Sequence, residues 1–273
     1  MRIGVNVLGW LLGSATLAVA GGGGELQDYD LSAAAARMFG EYERVNHEGF
    51  MNMEGAPDPE AVIERTRQWI DRSEALRDDS PAYHYLRARI EYDAYNQLAD
   101  TAPAEGGGYL DRALGQIRIF ADAKVAFADG HALHGAILGR MIAASPASAL
   151  LHARAAKRAT TTALDLDPDN QLAHLNLAFT FANAPEAFGG DRKLAVEHFR
   201  RAFAGGALPL RAVAGTWLSV TYDQLGDSAR AVEVIEEVLE LVPGFPQAQA
   251  TARALADGAD PVVYMQRLQN RAE

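Results

Sequence analysis

The chain has 273 residues, 49% of them hydrophobic and 22% charged, which supplies ample apolar material for a folded core and excludes a disordered chain. Its 25 Lys and Arg against 36 Asp and Glu leave a formal charge of -11, and no stretch gathers the basic residues into a stripe that could follow phosphates, so nucleic acid is not an expected partner. Cysteine is absent, which excludes disulfides, thiolate metal sites, a cysteine nucleophile and a lipid-modified N-terminal Cys.

In chain order, the first feature is an uncharged stretch between Arg2 and Glu25. Its apolar part runs from Val5 to Ala20, ends Ala18-Val19-Ala20 and is followed by four glycines. Small residues at Ala18 and Ala20 suit the shallow subsites of a signal peptidase, so residues 1–20 read as a secretory signal cleaved after Ala20, and the protein as periplasmic or secreted. The alternative is an uncleaved anchor, since the stretch approaches the ~20 residues that span a bilayer. Gly4, Asn6, Gly9, Gly13 and Ser14 weaken that alternative, and the membrane is an expected partner only if the segment stays attached. Residues 21–30 read as a flexible N-terminal segment.

Beyond Gly24 the strand signal is nearly absent and helix-period apolar spacing dominates, so the expected class is all-α. Helices are predicted at 31–51, 59–77, 81–100, 108–128, 131–144, 148–166, 170–183, 191–204, 209–225, 227–242, 246–256 and 261–271. Asp58-Pro59, Ser80-Pro81 and Asp260-Pro261 each place a capping oxygen before a residue already fixed at helical φ. Gly190-Asp191 and Gly226-Asp227 offer a turn followed by a cap.

Residues 31–130 read as divergent helical repeats. Trp69, Ile70, Leu76, Leu86, Ile90, Leu114, Ile117 and Phe120 are spaced for buried faces, and the Ala102 to Gly108 run reads as a flexible loop and the best internal hinge candidate. Residues 131–245 carry a clear internal repeat. Two units align at a 39-residue offset: Leu138 with Leu177, Ile142 with Phe181, Pro146 with Pro185, Ala156 with Ala195 and Ala163 with Ala202. Both are expected to have a turn widened by five residues. A third unit, Ala212 to Phe245, has 34 residues, with Leu218, Tyr222, Gly226, Ala231, Ile235, Val238 and Pro243 in register. Residues 246–273 read as C-terminal capping helices.

On those positions the chain resembles the tetratricopeptide repeat family, in its exported bacterial type. Gly215 stands where the family often has a large aromatic, and Ser219 where it has glycine or alanine. The resemblance implies a right-handed α/α superhelix, a solenoid of about five to six helix-turn-helix pairs, with ligands along the inner face of the first helix of each pair. It carries Arg140, Leu172, Leu175, Phe179, Asn183, Val220 and Asp223 to that face, together with Leu133, Ala136, Val213 and Thr216. The lysine and asparagine clamp with which some relatives hold a peptide carboxylate is missing. A mostly apolar groove suits an extended peptide or a partner helix.

No catalytic pattern stands out. His131 and His134 share a helical face, with His152 a further candidate, but three or four ligands are the usual requirement for a metal. Asp165, Asp167 and Asp169 alternate as in a calcium loop, yet Pro168 interrupts them and Asn176 occupies the twelfth position. Gly106-Gly107-Gly108 lacks the Lys that follows a phosphate loop, and no serine sits in a nucleophile elbow. The expectation is therefore a non-enzymatic interaction module or adaptor without metal or cofactor, binding a protein or peptide. The alternative is a small-molecule-binding accessory of an envelope transport system.

Overall fold

A computed structural model describes residues 33–51, 58–77, 79–98, 102–144, 146–205 and 208–269. The expected signal peptide and the 21–30 segment lie outside them. Twelve α-helices and one 3-10 turn, with no strand, make up the described residues. The helices are α1 Ala33–Met51, α2 Pro59–Glu74, α3 Pro81–Leu98, α4 Pro103–Asp122, α5 Ala128–Ala144, α6 Pro146–Leu166, α7 Gln171–Asn183, α8 Arg192–Ala204, α9 Leu208–Gln224, α10 Ser228–Leu241, α11 Pro246–Ala256 and α12 Pro261–Gln269. None of them is long and apolar enough to cross a membrane.

The caps read from sequence are in place. Asp58 accepts from the Glu60 amide, Ser80 from Tyr83, Asp191 from Lys193 and Leu194, Asp227 from Arg230, and Asp260 from Val262 and Val263. Each satisfies amide groups that the first turn leaves without intrahelical partners, worth about 1 kcal/mol per cap. Gly226 at φ +81° lets the chain reverse between α9 and α10, and the Asp227 amide returns to the Tyr222 carbonyl.

Each helix packs on its successor, and contacts between second neighbours join α3 to α5, α5 to α7, α7 to α9 and α9 to α11. The odd-numbered helices from α3 onward thus form one row, with α4, α6, α8, α10 and α12 packed behind it. Burial follows the row. In α9 an unbroken run from Ala212 to Tyr222 is buried, and in α3 a run from Ala82 to Ala94, whereas α8 and α10 bury one face each. The larger of two apolar clusters extends from Met38 to Met265, and a smaller one joins Val62, Ala94, Leu98 and Tyr109.

Packing in the 34-residue unit accounts for Gly215 and Ser219. A side-chain carbon at Gly215 would lie 2.4 Å from Val238 Cγ2 and 2.8 Å from the Phe203 ring, so the Phe203 ring of the preceding helix fills the space beside this glycine. Ser219 is fully buried and donates to the Ala231 carbonyl at 2.7 Å, so its hydroxyl is satisfied at the close crossing of α9 and α10.

Two sequence expectations differ from the structure. The Ala102 to Gly108 run is not a loop: α4 begins at Pro103, with Glu105 in its first turn and the Gly106 amide bonded to the Ala102 carbonyl. Packing of Tyr109 and Leu110 against the core outweighs the low helix propensity of three glycines. Only one of the two units has a widened turn. In the second, Glu186–Phe188 form a 3-10 turn, Gly189 has φ +90°, and a carbon added at Gly190 would meet the Ala184 carbonyl oxygen at 1.8 Å. In the first unit the equivalent residues are helical and extend α6 back to Pro146. Nothing there matches the Gly189-Gly190 pair, because Leu150 and Leu151 stand at those positions and favour continuing the helix.

Candidate functional site

Helix α1 lies across the row. One stripe of it is buried, Ala35, Met38, Phe39, Tyr42, Asn46 and Phe50, at the spacing of a single helical face. Phe39 meets Tyr85 of α3 edge-on, and Tyr42 meets the Trp69 ring of α2 at 5.2 Å. Phe50, at the other end, packs on Phe245 at 5.5 Å, immediately before α11. The helix therefore reaches from the first pairs to the last turn of the repeat region. A face that the repeat pattern alone leaves open is occupied by the chain's own segment.

Beneath α1 is a cluster of buried charge. Helix α3 carries Arg87-Ala88-Arg89-Ile90-Glu91-Tyr92-Asp93, two i,i+4 ion pairs interleaved so that they leave the helix on opposite sides. On the side toward α1, Arg89 Nε donates to Asp93 Oδ2 at 2.9 Å and Tyr42 Oη donates to the same oxygen at 2.7 Å. Arg89 and Asp93 are each 1% exposed. Burial works to lower the Arg89 pKa and is the largest single influence on it, but Asp93, Tyr85, Glu43 and Tyr42 together outweigh it and keep the guanidinium charged. Burial and then Asp93 push the Tyr42 phenol up, so it stays protonated and donates.

Further polar groups converge on the same region. Burial raises the Glu43 carboxyl of α1 to about 7, against an opposing pull from Arg89. Asp129 of α5 is raised by burial, while Asn170 Nδ2 donates to it at 2.6 Å. Arg140 of α5 donates to Asn96 Oδ1 of α3 at 3.1 Å and lies 5.8 Å from the Tyr95 ring. Glu43 Oε1, Arg89 Nη2 and Asn96 Nδ2 are buried without a hydrogen-bond partner. Such groups are costly to leave unmatched, at about 1–3 kcal/mol each and more when charged.

On the other side of α3, Arg87 pairs with Glu91 at 3.1 Å and with Glu74 of α2, and Arg112 of α4 approaches Glu91 to 3.6 Å. Burial raises Glu91 although Arg87 opposes it. This second cluster ties α2, α3 and α4 together and faces away from α1.

The groove residues expected from sequence divide into four groups. Leu172, Leu175 and Val220 are at most 2% exposed and belong to the apolar core, so no partner can touch them without separating helices. Leu133, Ala136, Val213 and Thr216 are buried too. Arg140 is buried within the polar cluster. Phe179 is half-buried, edge-on to Phe199 at 5.3 Å and to Trp217 at 5.5 Å. Asn183 is exposed and donates to the Phe179 carbonyl, and Asp223 accepts from Ser228, so both serve helix ends.

Sequence reasoning passed over Tyr42, Glu43, Arg89, Asp93, Asn96 and Asp129. The available signal was the Arg87 to Asp93 run: with charges on opposite sides of one helix, any packing on both faces buries an ion pair.

The histidines are distributed differently. His134 is desolvated and its pKa lowered to about 4, and His131 Nε2 lies 2.9 Å from the Val125 carbonyl. His174 and His198 approach to 3.0 Å between their Nδ1 atoms, with His174 Nε2 at 2.9 Å from the Pro168 carbonyl. A ring that donates through Nε2 to that carbonyl is, when neutral, an acceptor at Nδ1, so His198 donates to it. Burial lowers the pKa of both rings, in keeping with neutral tautomers. Among the described residues no group of three or more His, Asp or Glu is placed to hold a metal ion. No protein-family model matches the chain, and no curated protein matches it in sequence.

Proposed function

We propose that this protein is a binding module whose ligand is small and polar and sits under α1, against Arg89, Asn96 and Glu43. The observation that carries this reading is the trio of buried, unmatched polar atoms on those three side chains, two donors and one carboxyl oxygen. A ligand with an anionic group for Arg89 and Asn96 and a donor for Glu43 would match all three. In this reading the helix row winds as a right-handed α/α superhelix of the tetratricopeptide type, and α1 closes its inner face. An exported module of this kind would serve as an accessory of an envelope transport system.

Native mass spectrometry of the purified chain tests it. The expected result is an adduct on the wild-type chain that is missing from Glu43→Leu. That substitution removes a buried carboxyl and is not expected to weaken the fold. A wild-type chain without an adduct, or an adduct retained by Glu43→Leu, would sink the reading.

A second reading is supported by α1 itself, since its buried stripe from Ala35 to Phe50 packs on Trp69, Tyr85 and Phe245. An adaptor would accept a partner helix of the same pattern in its place. A labelled peptide covering residues 31–53 should then bind a Phe50→Asp chain, in which α1 is loosened, more tightly than the wild type. Equal binding to both would count against an adaptor role.

A further inference from the structure

We propose that the N-terminal half of α6 docks on an anionic phospholipid surface, with Leu150 and Leu151 entering the interface and Arg154, Lys157 and Arg158 on the lipid phosphates. Leu150 is 91% exposed and Leu151 75%, the two most exposed large apolar side chains among the described residues. Both project because α6 starts early. Pro146 corresponds to Pro185 in the next unit, where the chain turns and α8 begins only at Arg192. The added turns of α6 carry the two leucines at the positions of Gly189 and Gly190.

At about 100° per residue, Leu150, Leu151, Arg154, Lys157 and Arg158 fall within about a third of the helix circumference. All five are exposed. From Ala147 to Leu164 there is no carboxylate, in a chain whose formal charge is -11. Arg118 of α4 adds to this side of the molecule, since it and Arg158 both act on His134, and Asp122, which also acts on His134, is the carboxylate that partly offsets it. An acidic protein with one cationic, leucine-tipped ridge is oriented by an anionic surface: the rest of the molecule is repelled and this ridge is drawn in. Leucines at the tip with cations one to two turns behind match the depth profile of a bilayer interface, where apolar groups sit below the phosphates.

The full chain lacks cysteine, so Ala147→Cys, one turn before the leucines, can carry a polarity-sensitive dye. With vesicles of phosphatidylcholine and phosphatidylglycerol at 7:3, the expected result is a blue shift and quenching by spin-labelled lipid. Both should be lost in 1 M salt and with pure phosphatidylcholine. Adding Leu150→Ser and Leu151→Ser should weaken the apparent affinity more than tenfold, and Lys157→Ala by about fivefold, with unchanged circular dichroism. Vesicle sedimentation without a dye response would show that another part of the chain binds lipid and would overturn the proposal. So would an equal response to pure phosphatidylcholine, or a response unaltered by the leucine changes.

Discussion

Tyr42 of α1 donates its phenolic proton to Asp93 of α3 across 2.7 Å, joining residues 51 positions apart at a point where both are buried. The same Asp93 oxygen accepts from Arg89, so a helix–helix contact and a buried ion pair share one atom. Removing only the hydroxyl, as in Tyr42→Phe, keeps the ring against Trp69 and takes one donor from the carboxylate. The expected cost is about 1–3 kcal/mol. It should appear in urea unfolding as a lower midpoint with an unchanged slope, and an unaltered midpoint would show that Arg89 alone suffices.

Phe50 and Phe245 hold the far end of α1, each 1% exposed. Phe50→Ala should cost about 3–5 kcal/mol if α1 unfolds with the rest of the chain. If α1 is a separate unit, exchange of its amide hydrogens should accelerate while amides of α9 stay protected. A double-mutant cycle with Phe245→Ala should return a coupling of about 0.5–1.5 kcal/mol, and a coupling of zero would mean the rings do not support each other.

Two buried groups give opposite pH dependence over overlapping ranges. Glu43 has a folded value of about 7 against an ordinary 4.5, so the folded protein holds that proton more tightly. Its contribution is complete below 4.5 and lost as pH rises through about 7, on the order of 3 kcal/mol. His134 has a folded value of about 4 against 6.5, so its contribution is complete above 6.5 and lost as pH falls toward 4. The wild-type stability profile between pH 4 and 7 should therefore be flatter than that of either variant. Glu43→Gln should be less stable at pH 4.5 than at 7, and His134→Asn the reverse. A profile unchanged by Glu43→Gln would place that carboxyl in water.

Two glycines give a local test of backbone demand. Gly139 is exposed in the middle of α5 with nothing within 4 Å of an added carbon, so Gly139→Ala should stabilise by about 0.5–1 kcal/mol. Gly190→Ala would drive a carbon into the Ala184 carbonyl oxygen and should destabilise, by about 2 kcal/mol or more. Thermal unfolding of the two variants should move in opposite directions.

Local information was enough for the helices. Acceptor-proline pairs and apolar spacing locate all twelve, because caps and amphipathic periodicity act within a few residues. The 39-residue self-match placed the pairs but misjudged what lies between them. Pro146 and Pro185 are equivalent in sequence, yet one opens a helix and the other a turn, since the residues that follow, Leu150-Leu151 against Gly189-Gly190, differ in helix propensity.

The sequence by itself determined an all-helical chain of paired elements with defined caps, because those properties come from backbone chemistry and nearest neighbours. Tertiary structure decided where α1 goes, and with it which surface of the helix row is covered. Leu172, Leu175 and Val220 belong to the core rather than an open groove, and Arg89, Asp93 and Glu43 become one buried cluster. Tyr42 and Phe50 meet partners 51 and 195 residues away, and no local pattern encodes which distant surface a single amphipathic stripe will cover.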